Sequence, residues 1–288
     1  MRVRGSVRDV AARARSRPVL RPGLRVYRRD DTHLQVGLDQ PRVVLPDSPG
    51  VRRLLGDLEA GAGLEDLTPE AGLAYQRLLD GGLVVEHRDL TAHRAAAASV
   101  FASHGPEAPA RLAARSSCMV RVLAPERWRP TVSQWLGQTG VGVHQHGDGR
   151  PTVTLLVTVE EPRRSLVDRL VADDQPHLLV SLGAQRARLG PFVVPGVTAC
   201  LRCLDVQLGE QDPRRALVLE QLEDSDAAPG PYDPLLAQAA TALAVRDLTS
   251  YAEGERPATW SATITVGADL SLPHRAWMRH PHCGCSWG

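Results

Sequence analysis

Neither lysine nor asparagine occurs anywhere in the 288 residues. That excludes a P-loop lysine and a Schiff-base lysine, and no polar site can be built on either residue type. No run approaches the roughly 20 apolar residues of a membrane-spanning helix. The N-terminus is positively charged but lacks the apolar stretch of a secretory signal. A cytoplasmic location is therefore expected, and in that reducing compartment cysteine favours metal over disulfide. The strings G-x-S-x-G and H-E-x-x-H are missing, which removes two common hydrolase signatures. A net charge of +1 points to neither nucleic acid nor an acidic membrane as partner. The charge is uneven, however: residues 1–30 hold ten arginines against two aspartates. Such an arm is either a solvated tail or an attraction for an acidic peptide.

Cysteine is scarce, yet four of the five fall into two tight pairs. Cys200-x-x-Cys203 follows a Pro/Gly-rich turn in LGPFVVPGVTACLRCLD, and Cys283-x-Cys285 closes the string WMRHPHCGC. Paired short spacings are what a metal site needs, and four thiolates at about 2.3 Å would complete a closed tetrahedral Zn2+ site with no open position for substrate. Such a site is structural and contributes its binding energy to folding. Free core thiols or disulfides are the competing reading. The second pair has one intervening residue, so His280 or His282 could also replace one sulfur. Cys118, in the apolar run CMVRVLA, reads as a core residue.

These two cysteine-bearing strings, with the Asp-Pro that follows the first, resemble the C-terminal part of ThiF-type, cyclodehydratase-associated proteins. Those proteins are similar to ubiquitin-activating enzymes and serve the biosynthesis of ribosomally made, modified peptides. The resemblance covers roughly residues 111–288. It implies a Rossmann-like α/β domain with a structural zinc at Cys200, Cys203, Cys283 and Cys285, in a subunit that presents a precursor peptide to a partner enzyme, often of the YcaO type.

Residues 24–46 contain three extended segments with period-two apolar residues, LRVYRRD, HLQVGLD and RVVLP. Two helices follow, one capped at Asp47 or Ser48 and stopped by Gly61, the other capped at Thr68 with Pro69 in its first turn and ended by Gly81-Gly82. LVVE at 83–86 is a short strand or edge. The pattern resembles the winged-helix-like, PqqD-like element that binds leader peptides. From that resemblance the groove would be formed by Arg42, Val43, Val44 and Leu45 of the last strand and Tyr75, Leu78 and Leu79 of the second helix. The leader would pair with the strand edge and lodge apolar side chains beside the helix. The competing reading is that the same three helical residues simply face the module's own core.

The expected organisation is α+β: a basic arm (1–18), a winged-helix-like module (19–90), a connecting helix and linker (91–110), and a degenerate ThiF-type α/β domain (111–288). In the last, strand-like runs at 118–124, 152–159 and 177–183 alternate with helical segments, indicating a mostly parallel sheet. Residues 233–253 read as a helix and 259–267 as a late strand.

An adenylating enzyme needs glycines in its first strand-to-helix turn, where backbone N–H groups approach phosphate. Here the turn is Ala124-Pro125-Glu126-Arg127-Trp128-Arg129, with no glycine and one proline. Related enzymes also use lysine and asparagine around the nucleotide. Asp148 alone could stand for the acidic residue after the second strand, and Gly140-Val141-Gly142 is a helix stop. His144 and His146 lie two apart with no third ligand nearby, and the Arg163-Arg164 and Arg186/Arg188 clusters read as solvated faces, with contact to an acidic peptide or a partner protein as the alternative. The expectation is a zinc-containing pseudoenzyme without ATP that binds a leader peptide for a modifying enzyme, with a homodimer as one possible assembly. The alternative is an ATP-dependent adenylating or cyclising subunit.

Overall fold

The computed structural model describes residues 17–92, 97–145, 147–223, 230–281 and 283–285, so almost all of the expected basic arm, with His146 and His282, lies outside the described residues. The chain forms two compact units, 1–113 and 114–288.

In the first unit β1 (Pro18–Leu20) pairs antiparallel with β5 (Val84–Glu86). A separate antiparallel meander runs β2 (Val26–Arg28), β3 (His33–Val36) and β4 (Val43–Pro46). Helix α1 (Pro49–Ala60) begins where Ser48 Oγ accepts the Val51 N–H and stops at Gly61, which turns to φ 65°. Helix α2 (Pro69–Asp80) begins where Thr68 Oγ1 accepts the Ala71 N–H at 3.2 Å. Both starts satisfy N–H groups that have no partner inside the helix, and both carry proline where its missing N–H costs nothing. The leucines of α1 and α2 close over the meander in one core that includes Leu45, Leu54, Leu58 and Leu78.

Nothing in the sequence marks β1. It is three residues long, too short to show a period, and its partner lies far along the chain. The expected linker is helical as well: α3 (His87–Ala92), α4 (Ala97–His104), a 3-10 turn and α5 (Ala108–Ser117). Its Gly105 and Pro106 open a helical turn instead of breaking one, and Val100, Phe101 and Ala108 pack against Val19 and Val85.

The second unit is built on a seven-stranded sheet in the order β12-β11-β10-β9-β8-β6-β7. Strands β6 (Met119–Leu123), β7 (Gly142–Val143), β8 (Val153–Val159) and β9 (His177–Leu182) pair in parallel. Helices α6 (Arg129–Thr139) and α7 (Arg164–Ala172) make the crossovers that parallel pairing requires. After β9 only a short turn leads to β10 (Arg186–Val193), so the chain reverses; β11 (Ala262–Gly267) and β12 (His274–Ala276) continue antiparallel. The sheet is therefore mixed, and less parallel than expected, because β9–β10 and β11–β12 are joined by short turns and β11, reached through three helices, still pairs antiparallel with β10. β10 is hidden in the sequence by its Gly190-Pro191. Gly190 has φ +90°, and a Cβ there would stand 2.3 Å from the Ala262 carbonyl oxygen, so only glycine permits the close approach.

Alternate residues of β8 and β9 face opposite ways. Leu155, Val157, Leu178 and Val180 pack with α6 and the long helix α10 (Pro234–Ala252), whereas Leu156 and Leu179 pack with Val167, Leu204 and Trp277. The second layer holds α8 (Leu201–Gly209), which is followed by α9 (Arg215–Glu223).

Candidate functional site

The turn before α8 is fixed by the Val194 N–H donating to Thr198 Oγ1 at 2.8 Å and the Ala199 N–H donating to Ser261 Oγ at 2.9 Å. Cys200 then serves as N-cap residue, and Cys203 follows three positions later on the same helical side, both buried. The C-terminal segment comes to meet them. Trp277 is buried and donates Nε1–H to Thr263 Oγ1 at 2.9 Å, Gln207 Nε2 donates to the Met278 carbonyl at 2.8 Å, and the His280 N–H donates to Cys203 Sγ at 3.2 Å. All four sulfurs lie within 4.8 Å of one another. The separations are 3.8 Å for Cys200–Cys203, 3.1 Å for Cys203–Cys283, 3.4 Å for Cys203–Cys285 and 2.8 Å for Cys283–Cys285. None is a disulfide.

A tetrahedron of sulfurs about 2.3 Å from a central ion has edges of about 3.8 Å; Cys200–Cys203 has that spacing and the other three separations are tighter, so the four sulfurs converge on one point as ligands of a single ion would. Without an ion the four sulfurs compete for protons. The hydrogen bond from Cys200 and further donors hold Cys203 down at about 4, while the same bond drives Cys200 up, and burial first, then the bond with Cys285, pushes Cys283 up to about 12. Four thiols this close do not ionise together unless a cation compensates them. His280 uses its backbone N–H toward sulfur, and its ring Nε2 faces Glu210 Oε1 at 3.5 Å. Among the described residues the only metal-ligating group of three or more is this four-cysteine cluster.

The turn from β6 into α6 is braced from behind by Trp128 and Tyr232, while Pro125, Glu126 and Arg127 line an open cavity. Trp128 is buried, its N–H donates to the Pro125 carbonyl at 2.8 Å, and its Nε1–H donates to the Tyr232 hydroxyl at 2.9 Å. The Arg127 guanidinium lies 4.7 Å from the centre of the Tyr232 ring. Beside this turn a cleft of about 570 Å³ opens at the carboxyl ends of β6 and β8, lined by Ala124, Pro125, Val159, Glu160, Arg163 and Ser165 among others. β6 has β7 on one side and β8 on the other, so this is the point where the strand order reverses and open α/β sheets bind ligands. Asp148 is spent on a local turn, accepting the Gln145 N–H at 2.7 Å, and His144 Nε2 sits 2.6 Å from the Gly149 carbonyl.

Each arginine cluster is solvated only in part: Arg163 and Arg186 are exposed, whereas Arg164 and Arg188 are drawn into ion pairs. Arg164 is 2% exposed, not solvated: it makes a two-pronged pair with Asp205 at 2.7 and 2.8 Å and reaches Glu161 at 3.1 Å. Arg188 holds Glu161 from the other side at 2.5 Å. Burial acts to raise the Glu161 carboxyl, but the two guanidinium groups outweigh it and bring it down to about 2. Nothing in a sequence pairs Arg164 with an aspartate 41 positions away. Cys118 is buried, and that burial pushes its thiol up to about 11, as befits a core residue.

In the first unit β4 pairs only with β3, so its outer edge has no strand partner among the described residues. Arg42 is exposed and Val43 and Val44 are half-buried, whereas Leu45 and Leu78 are 0% exposed and belong to the core. Tyr75 packs partly on that core and Leu79 is 40% exposed. A cavity of about 340 Å³ instead lies between Pro46 and the face of α2 that carries Glu70, Leu73, Ala74 and Arg77. Those positions follow i, i+3, i+4, i+7, a face rotated away from Tyr75 and Leu79 at about 100° per residue. Leu73 is 71% exposed. An exposed leucine on an otherwise amphipathic helix is the one sequence signal that could have found this face.

No protein-family model matches the chain, and no curated protein matches it with significance. Solved structures do match. One is a heterocyclase in complex with substrate and cofactor, at 17% identity and TM-score 0.69, covering 94% of this chain and 39% of that one. Another is the heterocyclase TruD, at 18% identity and TM-score 0.70, covering 94% and 43%. A third is E. coli MccB with MccA-N7isoASN, at 13% identity and TM-score 0.60, covering 94% and 99%. The chain has their fold. It spans about two fifths of the heterocyclase chains and nearly the whole length of MccB.

Proposed function

We propose that this chain is a non-catalytic adaptor of ribosomal peptide modification, binding a precursor leader peptide and presenting it to a separate modifying enzyme. The first unit is read as a winged-helix-like, PqqD-like recognition module (19–90) and the second as a ThiF-type, Rossmann-like domain that has lost nucleotide chemistry. The observation that carries the reading is the β6–α6 turn, where Pro125 has no N–H to offer a phosphate and the Trp128 N–H is spent on the Pro125 carbonyl. The leader pairs with the free edge of β4, near Arg42, Val43 and Val44, and sets an apolar side chain against Leu73 and Ala74. Leu45, Tyr75 and Leu78 support that surface from the core side. The fold likeness to heterocyclases supports the setting, and the modifying enzyme of this reading is of YcaO type. Cys200, Cys203, Cys283 and Cys285 hold one structural Zn2+, which when bound neutralises the thiolates and fastens the C-terminal segment to α8. No helix among the described residues is long and apolar enough to cross a membrane. We place the protein in the cytoplasm, alone or as a homodimer.

The test is an anisotropy titration of a labelled leader, from a short precursor encoded beside this gene, against the full chain and against Leu73→Asp. Micromolar binding that the substitution weakens at least about tenfold supports the adaptor, a change of about 1.4 kcal/mol. The cleft at the carboxyl ends of β6 and β8 favours the second reading, an ATP-dependent adenylating subunit. Robust, Mg2+-dependent ATP–pyrophosphate exchange in the presence of the peptide would establish that reading and overturn ours.

A further inference from the structure

The groove beside β4 has a polarity. α2 lies across it with its ends in known places: Gly81, just past the helix, sits against Val43, where an added Cβ would stand 3.1 Å from Val43 Cγ2. At the other end Gly50, shortly after β4, packs against Thr68, the cap residue of α2, with an added Cβ 2.6 Å from Thr68 Oγ1. Helix and strand therefore run in opposite senses along the groove. Glu70 stands at the Pro46 end, and Arg77 stands toward the Val43 end, where Arg42 also lies. The floor between them is apolar, made by Pro46, Leu73 and Ala74. Glu70, Arg77 and Arg42 are exposed and form no ion pair among the described residues.

We propose that this rim reads charge order: the groove takes an extended peptide whose central apolar residue is flanked two positions away by a basic residue on the Glu70 side and by an acidic residue on the Arg77/Arg42 side. This rests on the peptide-binding reading above. In an extended chain residues i, i+2 and i+4 point the same way and span about 13 Å. Glu70 and Arg77, seven residues apart on a helix, are separated by about 10 Å along its axis. The three peptide side chains thus reach base to Glu70, apolar to Leu73 and acid to Arg77 without distortion. Proline at position 46 has no N–H, which ends backbone pairing at that end of β4 and fixes where the peptide register begins. Glu70 and Arg77 also suit the dipole of α2, but that role concerns helix stability and is indifferent to peptide order.

The experiment uses the full chain and three labelled peptides at low ionic strength. Each has leucine between valines; one carries lysine two positions before the leucine and aspartate two positions after, one carries the reverse, and one carries serine at both. The expected result is that one charged order binds at least about fivefold tighter than the other, about 1 kcal/mol at roughly 1.4 kcal/mol per tenfold. Glu70→Arg with Arg77→Glu should invert the preference, and Arg77→Gln alone should reduce it. Raising the salt should flatten it as the Debye length shrinks. Thermal unfolding of each variant reports whether the helix survives, and Arg77→Gln keeps the test open if the double variant does not fold. If all three peptides bind equally, or the preference ignores these substitutions, charge reading is wrong while peptide binding stands. If none of the three binds, the groove is no peptide site and both readings fall.

Discussion

Substituting Cys203→Ser puts the zinc assignment at risk most directly. Cys203 is the fully buried sulfur that the other three surround, and it also accepts the His280 N–H. Ordering the seven described residues beyond Trp277 costs about 10 kcal/mol at about 1.5 kcal/mol each. Their hydrogen bonds from Gln207 and to Cys203 offset about 2 kcal/mol at roughly 1 each. The shortfall of about 8 kcal/mol is of the size a structural zinc supplies, about 10–16 kcal/mol in small metal domains. Removing one ligand should therefore release the segment beyond Trp277 while the sheet persists. Metal analysis should show zinc falling from one per chain to substoichiometric levels. Hydrogen exchange should accelerate in the C-terminal peptide containing His280, in the variant and equally in wild type treated with chelator. Full zinc content in Cys203→Ser, or unchanged exchange after the metal is stripped, would refute the reasoning.

Arg164→Met leaves Asp205 with Arg215 alone, at 3.4 Å, while Arg188 still holds Glu161, and should destabilise by about 1.5–3 kcal/mol, read as a shift of the urea midpoint; a loss below about 0.5 kcal/mol would mean the network is dispensable. Glu161, held at about 2 when folded against 4.5 otherwise, contributes stability that is complete above pH 4.5 and is lost as pH falls toward 2; acid unfolding curves of Glu161→Gln should lack that component. His177 is buried, and burial lowers its folded value to about 4 against 6.5. The unfolded chain takes up its proton first, so stability falls as pH drops from 6.5 to 4, and an imidazole resonance titrating near 6.5 in the native state would contradict its burial. Gly190→Ala forces a Cβ onto the Ala262 carbonyl and should cost at least about 2 kcal/mol; a variant as stable as wild type would show that β10 and β11 can part without penalty.

What the sequence reveals depends on how local the cause is. Ser48 and Thr68 cap helices through bonds that span three residues, and the runs at 118–124, 152–159 and 177–183 become strands because their apolar patterns are continuous. The cysteine pairs are legible because chemistry, not neighbourhood, explains their spacing. β1 and β10 are not, since one owes its existence to β5 and the other to a glycine that meets Ala262 from a remote part of the chain. The helical face beside β4 lies elsewhere than its apolar pattern suggests, for a related reason. Tyr75, Leu78 and Leu79 are the more apolar set, but burial claims Leu78, and only the position of Pro46 shows that Leu73 and Arg77 flank the cavity.

The strand edges of the chain are guarded unequally. The large sheet ends in β7, two residues long, on one side and in β12, three residues long, on the other. Edges that short offer another chain little to zip onto, a protection against aggregation. β4 presents four residues, is stopped only at Pro46, and has an apolar cavity beside it. Among the described residues β4 is thus a longer open edge than either end of the large sheet. Concentrated protein should self-associate through that edge, and an occupant there would act as a solubilising chaperone for the protein that carries it.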